Sequence, residues 1–165
     1  MGLKKNPRHA AFNRLAMYNN TDLKRFEEAL KAADVFFNEC DKADYSYLDY
    51  MYYGHLLEEL KKYDEAVGQY EKAVELDPTK TDLYKNISSA YEQKNDYKKA
   101  IGAYHKYYSS LEKEKQTPDL QFQLGRLYYG AGTHPDSLTI NAEERKQALM
   151  SADSVVQVMS EAAPD

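Results

Sequence analysis

The sequence predicts an all-α chain, an α-solenoid of about four stacked helix–turn–helix pairs, and two observations carry that expectation. The first is a period of 34 residues. Tyr50-x2-Tyr53-Gly54-x2-Leu57, Tyr63 and Ala66-x3-Tyr70 recur one period later as Tyr84-x2-Ile87-Ser88-x2-Tyr91, Tyr97 and Ala100-x3-Tyr104. Self-similarity at such a period marks an array in which each unit buries its apolar face only against its neighbours. The second is local: apolar residues fall at helical spacing and are interrupted by turn residues and prolines at regular places.

Taken in order, the first pair covers about residues 8–39, with a turn expected at Asn19, Asn20, Thr21 and Asp22, residues that prefer caps and turns to helix interiors. Its repeat positions are Phe12-x2-Leu15-Ala16 and Ala29-x3-Ala33, one residue out of step. The second pair covers 44–78 and stops at Asp77-Pro78, because proline cannot continue a helix and displaces its predecessor from the α region. The third, 81–115, lacks a closing proline, so its second helix is expected to run a turn longer. The fourth, 118–164, opens at Pro118 with Gln121-x2-Leu124-Gly125-x2-Tyr128. Gly130-Ala131-Gly132 suggests a helix-ending turn, and Asn141 with Glu144 forms a capping box for the last helix, which carries Ala152-x3-Val156. Gly125 to Ala152 spans 27 residues where Gly54 to Ala66 spans 12, so an insertion is expected at about 132–146.

The residue types suit the spacing. Small residues at Gly54, Ser88 and Gly125, met by Ala66, Ala73 and Ala100, let paired helices approach. Tyr50, Leu57, Tyr63, Tyr70, Tyr84, Tyr91, Tyr97 and Tyr104 fill the space between them. The 16 tyrosines, with no tryptophan, are therefore mainly architectural.

This pattern resembles the tetratricopeptide repeat, whose signature is an aromatic, a Leu-Gly pair, a Tyr, then Ala-x3-Phe and a closing Pro. The segment Tyr63 to Pro78 is similar to that family's second-helix consensus, and the run Lys61 to Pro78 resembles members of bacterial origin. The resemblance implies a right-handed solenoid whose first helices line a concave, partner-binding groove. Aligned on this chain, that groove takes Met51, Tyr52, His55 and Glu59 from the second pair and Lys85, Asn86, Ser89 and Gln93 from the third. The fourth pair adds Phe122, Gln123, Arg126 and Tyr129, and the first adds Asn13 and Met17. Some family members clamp a C-terminal carboxylate with Lys and Asn side chains and a final Lys and Arg. Here only Asn86 matches that set, and Asp119 stands where a cation is needed, which argues against such a partner.

Composition narrows the remaining classes. Apolar content of 42% and charged content of 30% are those of a folded chain, and a net charge of −5 argues against nucleic acid. No run is long and apolar enough for a membrane span, and the basic N-terminus lacks the apolar stretch of a signal peptide. The compartment stays open between cytoplasm and, if an upstream leader was removed, periplasm. Cys40 is the single cysteine and has the character of a small hydrophobe near a helix end. His9, His55, His105 and His134 form no metal spacing. No phosphate loop or activated nucleophile appears, and Asp41-x2-Asp44 lacks the glycine and closing glutamate of a calcium loop.

The sequence thus points to a non-enzymatic scaffold without cofactor or metal, binding a protein or peptide. Two alternatives stay open. One is self-assembly or stacking on further repeats through an exposed end; the other is a helper region of a multidomain enzyme or sensor. The ending at Ala163-Pro164-Asp165, where another repeat would begin, implies a segment of a longer protein or a final face that docks.

Overall fold

The computed structural model describes residues 7–39, 45–134 and 141–162. Among these are eight α-helices and no strand: α1 (Pro7–Asp22), α2 (Phe26–Glu39), α3 (Tyr47–Glu59), α4 (Tyr63–Leu76), α5 (Leu83–Gln93), α6 (Tyr97–Ser110), α7 (Pro118–Thr133) and α8 (Ala142–Ala162). They pack as four hairpins, α1 with α2, α3 with α4, α5 with α6 and α7 with α8. The chain divides into two compact units, Met1–Lys80 and Thr81–Asp165. Cys40, Asp41 and Asp44, and the middle of the expected insertion (135–140), lie outside the described residues.

The first three hairpins turn in the same way. Lys24, Lys61 and Asn95 each adopt the left-handed conformation, with φ of 57°, 60° and 61°. In the second hairpin the Lys61 N–H donates to the Glu58 carbonyl at 2.9 Å and the Lys62 N–H to Leu57 at 2.8 Å, the paired bonds of a Schellman stop. Asn95 and Asp96 repeat this on Glu92 and Tyr91, and Lys24 and Arg25 on Thr21 and Asn20. These bonds satisfy carbonyls that the helix end would leave orphaned. The first turn therefore lies at Leu23–Arg25, immediately after the polar cluster at Asn19–Asp22 that the sequence suggests. Thr21 tolerates its helical position because its buried hydroxyl donates to the Met17 carbonyl at 2.8 Å.

In the N-terminal unit, Met17, Ala29, Ala32, Ala33, Phe36 and Leu56 form one core. This corrects the expected face of α1. Phe12 and Leu15 are 70% and 58% exposed, while Met17 and Asn13, assigned to the groove from sequence, point inward at 0% and 8%. The second hairpin follows expectation. Tyr70 is fully buried against Gly54, where an added Cβ would lie 2.6 Å from the ring. The Asp77-Pro78 stop holds, with Asp77 accepting from the Thr79 N–H at 3.1 Å and hydroxyl at 2.5 Å.

The core of the C-terminal unit is Tyr97, Ala100, Tyr104, Tyr107, Leu124, Leu127, Ala131 and Ala148. Ser88 takes the place of Gly54, and its hydroxyl donates to the Ala100 carbonyl at 2.8 Å, so the small residue also ties α5 to α6. Three expectations change here. Helix α6 has the 14 residues of α4 and is no longer; the surplus forms a 3-10 turn at Lys113–Lys115. Gln116 closes that segment by donating to the Tyr108 and Leu111 carbonyls at 3.3 and 3.1 Å. Gly130 and Gly132 do not end α7. No glycine among the described residues has a positive φ, and these two are small because the Tyr97 ring and the Leu149 side chain rest on them. On α8 it is Val155 that meets Gly125, at 3.1 Å from a hypothetical Cβ, whereas Val156 is 60% exposed. The capping box is formed as read: the Asn141 N–H donates to Glu144 and the Glu144 N–H to the Asn141 side chain, both at 2.9 Å.

Candidate functional site

The residues expected to bind a partner fall in both units. On α3, Tyr52, His55 and Glu59 share one face at helical spacing and line a cleft of about 220 Å³ with Thr21, Asp22, Lys24 and Phe26. The cleft forms where the Schellman turn of the first hairpin meets α3. Tyr18 covers one face of Tyr52, with ring centroids 4.1 Å apart and planes 19° off parallel. Burial, followed by the charge of Asp22 and a hydrogen bond to it, raises the Tyr52 phenol above its ordinary pKa. The phenol therefore stays neutral and donates to Asp22.

His55 is held from behind. The Tyr70 hydroxyl donates to Glu58 Oε2 at 2.8 Å and lies 3.2 Å from His55 Nδ1. A phenol has one proton, so His55 Nδ1 is the donor in the second contact. In the tautomer that carries its proton on Nδ1, the lone pair lies on Nε2. Met51, the remaining candidate on α3, is half-buried.

In the C-terminal unit the candidates are divided. Arg126 donates to both Glu92 carboxylate oxygens at 2.6 and 2.9 Å, and its Nε–H to Gln123 Oε1 at 3.0 Å, joining α7 to α5. Lys85 lies 5.2 Å over the Tyr107 ring, so its charge also serves packing. Asn86 and Ser89 are half-buried and Gln93 is exposed. Phe122 and Tyr129 are 53% and 61% exposed, and with Arg126 between them they make a stripe at i, i+4 and i+7 along α7.

Sequence reasoning missed a polar cluster built on Asp49, which is fully buried. Its carboxylate accepts from Arg14 Nε at 2.8 Å and Nη2 at 3.0 Å, and from the Tyr18 hydroxyl at 2.5 Å. The Ser46 N–H and hydroxyl donate at 2.7 and 3.1 Å. Arg14 also stacks over Phe36 at 4.9 Å. The only trace in the sequence is Ser46-x2-Asp49, a cap signal that says nothing of the partners 31 and 35 residues away.

Lysine–tyrosine stacking was missed too, although it follows the period. Lys72 lies 5.6 Å over Tyr50 and, 34 residues on, Lys106 lies 5.4 Å over Tyr84. A repeat position that reads as tyrosine is thus half core and half platform for a lysine from the second helix.

Four helical hairpins built on a 34-residue period define an all-α helical-repeat fold. Residues 54–95 match the family model described as TPR repeat. Among solved structures the chain is similar to the C-terminal part of a TPR repeat-containing protein from Cytophaga hutchinsonii, with a TM-score of 0.68 at 22% identity. That match covers 94% of this chain and 53% of the other, so the chain spans about half the length of the structure it matches. At that identity the likeness speaks for the fold. No curated protein matches the chain. Tetratricopeptide repeats generally mediate protein–protein interaction, and the fold is typically a non-catalytic scaffold. No helix among the described residues is long and apolar enough to cross a membrane.

Proposed function

We propose that this chain is a non-enzymatic recognition module that binds a partner protein or peptide through the faces of its first helices. The observation that carries the reading is the stripe of Phe122, Arg126 and Tyr129. Two large aromatic side chains stand more than half exposed on either side of an arginine that is already fixed by Glu92. Exposed aromatic and arginine side chains are the residue types that dominate binding hot spots. Their cost in water is recovered when a partner covers them.

The test is the double variant Phe122→Ala with Tyr129→Ala, used as bait against lysate of the native cell and read by mass spectrometry. Partners captured by the unaltered chain are expected to be lost, while helicity and melting stay unchanged. Capture that survives both changes overturns the assignment.

A second reading, stacking on another repeat or on a second copy, is favoured by a different observation. Met150, Val156 and Val158 on α8 are 61%, 60% and 53% exposed, three apolar side chains left open on the last helix. Light scattering over a concentration series separates the two, since self-assembly gives a mass that rises with concentration.

A further inference from the structure

We propose that the cleft bounded by Tyr52, His55, Glu59, Asp22 and Phe26 takes the guanidinium end of an arginine side chain presented by a partner polypeptide. The proposal rests on the recognition reading above and names the chemistry of one contact within it.

Size comes first. At about 220 Å³ the cleft is smaller than the roughly 300–1,000 Å³ of small-molecule sites and suits one long side chain. Its polar groups are mostly acceptors. Asp22 and Glu59 are carboxylates, and His55 keeps an acceptor on Nε2 because Nδ1 is spent on Tyr70. A guanidinium has five N–H donors and no acceptor, the complement of that set. A carboxylate or phosphate ligand would meet two like charges there.

The walls agree. Tyr52 and Phe26 are aromatic, and a planar cation gains from lying against such rings. The Tyr52 ring is set in place by Tyr18 behind it, so little ordering is needed on binding. Lys24 is the one cation in the lining. It occupies the left-handed turn position, where its backbone φ of 57° is demanded by the Schellman stop and its side-chain charge is not.

The experiment titrates the isotope-labelled full chain with an acetylated and amidated Gly-Ser-Arg-Ser-Gly peptide and follows backbone amide shifts by NMR. The same peptide with citrulline in place of arginine is the neutral isostere. Shifts are expected at Tyr52, His55 and Glu59, with the citrulline peptide weaker by about tenfold, since charge-assisted hydrogen bonds and the cation–ring contact are both lost. Glu59→Gln is expected to weaken the arginine peptide severalfold. Lys24→Gln is expected to strengthen it, a gain that a merely structural role would not give. Equal binding of the two peptides, or shifts that map elsewhere, overturns the proposal.

Its failure is separable from that of the recognition reading. Capture of a native partner that depends on Phe122 and Tyr129 but ignores Glu59→Gln retains the reading and overturns the cleft assignment. Absence of any captured polypeptide removes the reading, while the peptide titration still decides the cleft.

Discussion

Replacing Gly54 with alanine tests the contact on which the second hairpin is built. An ideal Cβ at position 54 would lie 2.6 Å from Tyr70 Cε1, 2.8 Å from Cδ1 and 3.0 Å from Cζ. Carbon atoms attract at about 3.5–4.0 Å, so the ring must retreat by about 1 Å. It has nowhere to go. Tyr70 is fully buried, and its hydroxyl is held between His55 and Glu58 at 3.2 and 2.8 Å. Overpacking of this kind costs about 1–3 kcal/mol, and an overlap this deep against a trapped ring belongs near the top of that range.

Helix propensity opposes the loss, because alanine is better than glycine in a helix interior by about 0.8–1.0 kcal/mol. Gly68 isolates that second effect. It lies inside α4 in the same compact unit, and a Cβ there meets nothing within 4 Å. Gly68→Ala should therefore stabilise by about 0.5–1 kcal/mol, and Gly54→Ala should destabilise by about 2 kcal/mol after the propensity gain is subtracted. Urea denaturation followed by far-UV circular dichroism reads both, and the separation of about 2–3 kcal/mol between them is the overlap alone. On a Tyr70→Leu background Gly54→Ala should lose its cost, since the ring it strikes is gone. Equal stability of the two single variants would refute the small-against-aromatic account of this hairpin.

Lys61 stands at φ 60°, where a side chain is strained, so Lys61→Gly should raise the urea midpoint by an amount worth about 0.5–1 kcal/mol, with Lys62→Gly as the control that gains nothing. Burial, then the neighbouring Tyr107 and Tyr108 phenols, raises the Tyr104 phenol to about 12 from 10.0. A folded-state pKa raised above the unfolded one gives stability that is complete below pH 10 and lost as pH climbs toward 12, about 2–3 kcal/mol for this one group. Urea midpoints measured across that interval should fall, and Tyr104→Phe should flatten the slope. Lys72→Ala and Lys106→Ala remove repeat-equivalent cation–ring contacts and should each cost about 0.5–1 kcal/mol, with similar values for the two because the geometry recurs.

The middle of the chain was legible because local rules and packing agree there. Gly54, Ala66, Tyr70, Ser88, Ala100 and Tyr104 stand where the period puts them, and Asn141 with Glu144 starts α8 by a bond that involves only four consecutive residues. Errors arose where glycine was taken for backbone freedom. At Gly130 and Gly132 the constraint is the side chain opposite, Tyr97 or Leu149, and nothing local distinguishes a glycine needed for space from one needed for a turn. The reverse holds at Lys24 and Lys61, where the turn is real and the residue gives no sign of it. For the candidate site, sequence placed Tyr52, His55 and Glu59 on one face of α3. The rest of the cleft, Thr21, Asp22, Lys24 and Phe26, comes from the preceding hairpin and depends on where its turn falls.

The face that α1 presents shows why apolar pattern alone misled. Turning Phe12 and Leu15 inward would bury side chains worth about 1.5–3 kcal/mol each, yet both remain mostly exposed. Arg14 and Tyr18, one helical turn apart on α1, must reach Asp49, and a buried carboxylate stripped of such partners costs about 3–5 kcal/mol. With Arg14 and Tyr18 committed, Met17 is the apolar side chain that faces the core, and it recovers part of what Phe12 and Leu15 forgo. The orientation of α1 is thus decided by one acid on α3. The same rotation sets Tyr18 against Tyr52, so the polar cluster that fixes the first hairpin also builds the back wall of the cleft.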